Sequence, residues 1–297
     1  MKILLTGATG LIGRALVAHW QYSHQLVLLS RNPRQAEKKL TTVHPCIRTL
    51  QEVDFNQLDA VVNLAGEPIA EKRWTEAQKQ RICQSRWLLT EQIAEAIQQA
   101  SRPPAVLISG SAVGFYGRQG PEPVFEQHGS FYPEFSHDVC ARWENLANRA
   151  ASDRTRVCLL RTGLVLSSEG GALAKMLPAF RLGLGGAIGT GQQYMSWVHL
   201  DDMVALIDYL LTHSELCGPF NATAPRPVTN QQFSQLLAAR LGRKARLPLP
   251  AFVVRALFGE MADLLLFGQN VQPQRLLQAG FQFRYTALKD ALAALQF

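Results

Sequence analysis

The stretch "TGATGLIG", Thr6–Gly13, decides the fold. It carries glycines at 7, 10 and 13, each three residues from the next. Before it stands "KILLTG" (2–7), a short apolar run that reads as a buried strand. After it comes "LIGRALVAHW" (11–20), with helical spacing. A strand, a glycine turn and a helix in that order make a phosphate cradle. Gly7 permits the tight turn, Gly10 lets the backbone approach a pyrophosphate, and Gly13 lets helix and sheet pack closely. Free N–H groups at the helix start then offer partial positive charge to the anion. The motif points to a dinucleotide.

Working outward, "LVLLS" (26–30), "DAVVNLAG" (59–66), "AVLISGS" (105–111) and "RVCLLRTGLVLS" (156–167) read as further strands. Residues 75–100 read as a long helix with Thr75 as N-cap and Pro103-Pro104 beyond its end. Residues 136–152, "SHDVCARWENLANRAAS", read as another helix. Strands alternating with helices predict an α/β fold: a Rossmann-type parallel sheet with helices on both faces. After about residue 168 the texture changes. "GLGGAIGTG" (183–191) reads as loop, "FNATAP" (220–225) as a short strand and turn. "VTNQQFSQLLAARLG" (228–242) reads as a helix closed by Gly242, and "PAFVVRALFGEMADLLLFGQ" (250–269) as a helix broken near Gly259. The expected organisation is a dinucleotide-binding domain over 1–167, with returns from about 188–225. A smaller, mostly helical substrate lobe follows over 168–297.

The chain has 297 residues and is 47% hydrophobic, enough to bury a core without staples. Five scattered cysteines with no C-x-x-C read as reduced thiols, hence a cytoplasmic protein. No His/Cys/Asp/Glu set has ligand spacing, so no metal is expected. No apolar run approaches the roughly 18 residues of a membrane span, so no membrane partner is expected. The net charge of +7 comes from scattered residues, and no nucleic-acid module is present. A small-molecule substrate and no nucleic acid follow from these readings. Helices 75–100 and 136–152 are the faces on which a homodimer would form.

The end of the second strand chooses between cofactors. A carboxylate there would accept from the ribose 2′-hydroxyl of NAD. Here the chain reads "LLSRNPR", with Ser30 and Arg31 in that place and Arg34 nearby. A guanidinium suits a 2′-phosphate by charge and by paired hydrogen bonds. The expected cofactor is NADP(H).

"TGATGLIG", "NLAG" (63–66) and "SGSAVGFYG" (109–117), in this order, resemble the extended short-chain dehydrogenase/reductase superfamily, which includes the nucleotide-sugar epimerases. "NLAGEPI", "RW" (73–74), "SR" (85–86), "VCARWE", "RLGLGG", "SWVHLDDM" and "RLPLPAFVVRALFGEMADLLL" are similar to one atypical branch labelled "epimerase family". That branch has a short C-terminal domain of its own, here about 245–294. The resemblance implies that Thr6, Gly7, Thr9, Gly10, Leu11, Ile12 and Gly13 wrap the pyrophosphate. It implies that Ser30 and Arg31 take the 2′-phosphate, that Leu64, Ala65 and Gly66 lie beside the adenosine ribose, and that Arg86 approaches the cofactor.

It also raises a question of chemistry. In the superfamily a Ser or Thr after the fifth strand polarises the substrate oxygen. A Tyr moves the proton, and a Lys four residues on lowers its pKa; i and i+4 share a helix face. Ser111 fits the first role. Glu144 anchors the frame of the helix, which puts Ser136 at the Tyr position and Cys140 at the Lys position. Neither does the original work. Tyr116 and His199 are the candidates for moving a proton instead, and Asp201 is expected to cap the helix after His199. Arg73 and Trp74 are candidate substrate contacts. Tyr285–Lys289 matches the motif literally but lies outside the dinucleotide half and reads as chance. Two functions stay open: an oxidoreductase or epimerase on a hydroxyl/carbonyl substrate, and a non-catalytic NADP(H)-binding redox sensor or regulatory protein.

Overall fold

The computed structural model describes residues 1–297. Seven strands form the main sheet: β1 (Lys2–Thr6), β2 (Gln25–Leu29), β3 (Cys46–Ile47), β4 (Ala60–Asn63), β5 (Val106–Ala112), β6 (Arg156–Thr162) and β7 (Gly218–Ala222). All neighbours are parallel, in the order 3-2-1-4-5-6-7. The helices are α1 (Leu11–Trp20), α2 (Pro33–Leu40), α3 (Glu76–Gln99), α4 (Phe135–Asn148), α5 (Gly171–Arg181), α6 (Leu200–Thr212), α7 (Asn230–Arg240) and α8 (Ala251–Phe258), with shorter turns after them.

The strands read as unbroken apolar runs because both faces are covered. Ile3 and Leu5 pack with Leu16 and Val17 of α1 and with Leu206, Ile207 and Leu210 of α6. Leu4, one residue out of phase, packs on the other face with Val61, Leu107 and Leu159 and with Ile93 and Ile97 of α3. Each such fully buried side chain contributes roughly 1.5–3 kcal/mol. A second core joins Leu173, Trp197, Phe233, Leu237, Leu288 and Leu292 in the later part of the chain. Tyr285 is buried there too, whereas Lys289 is exposed, so only the tyrosine of the literal Tyr-x-x-x-Lys belongs to that core.

Most expected elements appear within a few residues of their predicted ends. The Thr75 side chain accepts from the Gln78 N–H and starts α3. Gly242 and Gly259 both stand at positive φ, 66° and 61°, at the ends of α7 and α8. Three differences have local causes. The strand expected over 156–167 breaks at Gly163, where a Cβ would lie 2.5 Å from the Ser196 carbonyl oxygen. Its second half, Leu164–Leu166, leaves the main sheet and pairs in parallel with Trp197–His199. A helix, α5, follows over a stretch for which the sequence reading gives no element. His199, not Asp201, caps α6: its Nδ1 accepts from the Asp201 N–H at 3.1 Å. No helix is long and apolar enough to cross a membrane.

Candidate active site

Between β1 and β4 the strand order reverses, and a ligand crevice is expected there, beyond the carboxyl ends of the strands. A cleft of about 300 Å³ occupies that place. Gly7, Gly10 and Leu11 form one wall, and Gly163, Val165 and Gly171 the other. Gly7 and Gly13 do what their spacing implied. Gly7 adopts φ 71°, and a Cβ on it would approach the Leu64 carbonyl carbon to 2.7 Å. A Cβ on Gly13 would collide with the Gly7 carbonyl oxygen, so α1 could not pack so close to the turn. The second wall was not foreseen. It exists because the chain breaks at Gly163 and returns over α1, where Gly171 lies against Leu11. Arg14, one turn into α1, sits beside Gly170 and adds a cation that the sequence reading passed over.

Under the turn runs a ladder of buried polar groups. Thr6 Oγ1 donates to Asn63 Oδ1 (2.6 Å) and accepts from the Ala65 N–H (3.1 Å). Asn63 Nδ2 donates to Thr90 Oγ1 of α3 (2.8 Å), which also accepts from Trp143 Nε1 of α4 (2.9 Å). Every named side-chain group has a partner, as buried polar groups require. The ladder fixes the loop carrying Leu64, Ala65 and Gly66 beside the phosphate turn.

At the end of β2, Arg31 and Arg34 are exposed and neither has a carboxylate within ion-pair distance. Ser30 Oγ accepts from the Asn32 N–H at 3.3 Å. Arg86 reaches back from α3 against Gly66, where a Cβ would lie 2.9 Å from its Cζ. It donates to the Ile82 carbonyl (3.0 Å) and lies 5.2 Å from the Trp143 ring centroid. It has no carboxylate partner, and burial pushes its guanidinium below the usual range.

The catalytic positions are arranged otherwise than the sequence suggested. Ser111 lies in a buried network: its hydroxyl donates to Glu144 Oε1 at 2.6 Å. Arg161 of β6 clamps the same carboxylate through Nε (2.9 Å) and Nη2 (2.8 Å). Arg161 Nη1 donates to Tyr116 Oη (2.9 Å), and Tyr116 Oη donates to Asn221 Oδ1 (2.7 Å). Tyr116 is 0% exposed, and burial raises its pKa. It offers no surface to a substrate, contrary to its expected place at the nicotinamide end. His199 is also enclosed: Nδ1 caps α6, Nε2 is buried without a partner, and the ring packs 4.1 Å from that of Tyr285. Burial holds its pKa below the usual histidine range. Ser136 is tied to Glu134 at 2.8 Å. Cys140 is buried near Ser111 and Arg86, and burial pushes its thiol up to about 12. Ser111, Cys140 and Arg86 are thus brought together; Tyr116 joins Ser111 only through Glu144 and Arg161, and His199 is not among them. Trp74 donates to the Ile69 carbonyl (2.9 Å), and Arg73 donates across the fold to the Ala256 carbonyl of α8 (3.0 Å). No group of three or more His, Cys, Asp or Glu side chains is placed to hold a metal ion.

With this geometry in view, the likeness to known proteins is specific. The profile of the NAD dependent epimerase/dehydratase family matches residues 3–222. The chain belongs to that family. A second profile, a domain of unknown function called DUF1731, matches residues 249–295. An Arabidopsis thaliana protein, "Epimerase family protein SDR39U1 homolog, chloroplastic", is 40% identical over 303 residues, covering 99% of this chain and 86% of its own. The Homo sapiens epimerase family protein SDR39U1 is 37% identical over 299 residues, covering 98% of each. A crystal structure of human SDR39U1 (isoform 2) with NADPH superposes with a TM-score of 0.90 at 36% identity, covering 98% of each chain. The UDP-glucuronic acid 4-epimerase of Bacillus cereus, solved with NAD, shares the fold at 17% identity.

Proposed function

We propose that this epimerase-family chain binds NADP(H) and acts as an atypical oxidoreductase or epimerase on a hydroxyl/carbonyl substrate, without a Tyr-x-x-x-Lys pair. The observation that carries the cofactor half is the unpaired Arg31 at the end of β2, where no carboxylate competes. The human relative solved with NADPH supports the same choice. Thr6 to Gly13 would hold the pyrophosphate, Ser30 and Arg31 the 2′-phosphate, and Leu64, Ala65 and Gly66 the adjoining ribose. When bound, the nicotinamide supplies or accepts a hydride. Arg86 puts a fixed positive charge beside Cys140, near where the family's lysine charge would stand. Ser111 has its proton committed to Glu144, so its oxygen meets a ligand as an acceptor and orients a substrate hydroxyl.

The second reading, an NADP(H)-binding sensor without turnover, draws support from the burial of Tyr116 and the inert thiol at Cys140. One experiment separates them. Purified protein is titrated with NADPH and NADH, and NADPH absorbance is then followed on adding a panel of aldehydes and ketones. Oxidation that disappears in Ser111→Ala supports the enzyme. Tight NADPH binding without oxidation supports the sensor. Arg31→Asp should shift preference from NADPH to NADH; an unchanged ratio would refute the 2′-phosphate assignment.

A further inference from the structure

The basic residues are spread along the chain, but two stretches lack acidic residues to balance them. Residues 170–200 and 216–259 contain eight lysines and arginines and no aspartate or glutamate. For a whole chain at +7, these two stretches alone account for the excess. The fold sets them side by side. Gly189 donates to the Leu249 carbonyl (2.9 Å), Leu249 to the Ala187 carbonyl (2.8 Å), and Arg243 Nε to the Arg181 carbonyl (3.0 Å).

Along this seam four large apolar side chains stand in water: Leu182 and Phe252, each 74% exposed, with Leu184 and Leu247. Scattered exposed apolar residues need no explanation, but these come together from two segments of chain. Arg181, Arg243, Lys244 and Arg246 are exposed among them, and none has a carboxylate within ion-pair distance. None of these residues lines the cofactor cleft.

The occupant must be anionic and must accept apolar side chains. A second copy of the chain fails the first condition, because four unpaired cations would face four more. We propose that the seam is a peripheral docking surface for an anionic phospholipid layer. Arg181, Arg243, Lys244 and Arg246 meet the phosphates, while the four apolar side chains enter the headgroup–acyl boundary. The long cationic stems suit this division, apolar along their length and charged at the tip. The apolar side chains come from a glycine-rich loop, an irregular segment before Pro248 and a helix. A fluid layer receives such separate protrusions singly, without a matching pocket for each. No helix can cross the layer, so association is confined to its surface.

The test is co-sedimentation of the full chain with vesicles of phosphatidylcholine alone, or mixed with phosphatidylglycerol. Sedimentation with the mixed vesicles only, reversed by high salt, is expected. Arg243→Glu with Arg246→Glu should weaken partitioning at least about tenfold. Leu182→Ser with Phe252→Ser should weaken it too, with NADPH titration and Tm unchanged as evidence of an intact fold. Wild-type protein that ignores mixed vesicles at low salt overturns the proposal. So does binding that the Leu182/Phe252 variant leaves intact, since that is adsorption by charge alone. Retention on polyglutamate without vesicle binding would make an acidic protein the occupant. A concentration-dependent dimer lost in Phe252→Ser, again without vesicle binding, would make it a second copy.

Discussion

Replacing Glu144 by alanine removes the carboxylate that holds Arg161. Both side chains are about 5% exposed, at 6% and 5%, so water does not take over the vacated role. Arg161 would keep its contacts with Tyr116 and the Glu126 carbonyl but lose its countercharge. An uncompensated buried charge of this kind costs about 3–5 kcal/mol. The Ser111 hydroxyl loses its acceptor as well, adding about 1 kcal/mol. A total near 4–6 kcal/mol would lower Tm by about 6–10 °C for a chain of 297 residues, whose unfolding entropy is about 0.6 kcal/mol/K. Urea unfolding followed by tryptophan fluorescence should show a lower midpoint with an unchanged slope. The double change Glu144→Leu, Arg161→Met should recover much of the loss, because it leaves no charge stranded. A Glu144→Ala cost under about 1 kcal/mol would refute the reasoning, since only a hydrated pair is worth so little.

Three further outcomes are expected. Gly7→Ala combines φ 71° with a Cβ 2.7 Å from the Leu64 carbonyl carbon; it should abolish NADPH binding in a fluorescence titration and destabilise by at least about 1–2 kcal/mol. Burial holds His199 below the usual histidine range, with Asp201 and Asp202 pulling the other way. The unfolded chain therefore binds more protons, and stability should fall as pH drops from about 6.5 toward the folded value. Asp202, raised by burial, acts oppositely: its contribution is regained as pH falls and it protonates. His199→Asn, which can still cap α6, should flatten the slope just below neutrality in thermal melts; an unchanged slope would remove His199 as its source. Native thiol titration at mildly alkaline pH should label exposed Cys217 promptly. It should spare Cys140 and Cys158, which burial lifts to about 12 and about 11, until denaturant is added.

The parts legible in the sequence were those whose cause is local. The phosphate turn is complete within Thr6–Gly13, and the Thr75 cap acts three residues away. The parts missed have distant causes. The strand ends at Gly163 because of the Ser196 carbonyl, which no window around Gly163 contains. Asp202 is taken up by the backbone N–H groups of Arg284 and Tyr285, and a histidine caps α6. The frame of α4 put Cys140 at the family's lysine position, but the grip of Glu144 on Ser111 depends on Arg161 from another strand. One signal was available. An arginine within the apolar run "RVCLLRTGLVLS" had to be paired inside the protein, because a buried charge without a partner is too costly. Following it would have led to Glu144 and then to Tyr116.

The polar ladder beneath the phosphate turn bears on how the chain assembles. Its members are Thr6, Asn63, Thr90 and Trp143, contributed by β1, β4, α3 and α4. The glycine motif is therefore present as soon as its residues are synthesised, but its supported shape waits until α4 has docked. A fragment ending before Trp143 would carry the whole fingerprint and lack its foundation. Nucleotide affinity should then appear late in refolding, together with the last tertiary packing. Bound nucleotide should in turn stabilise the domain as one cooperative unit, not the turn alone.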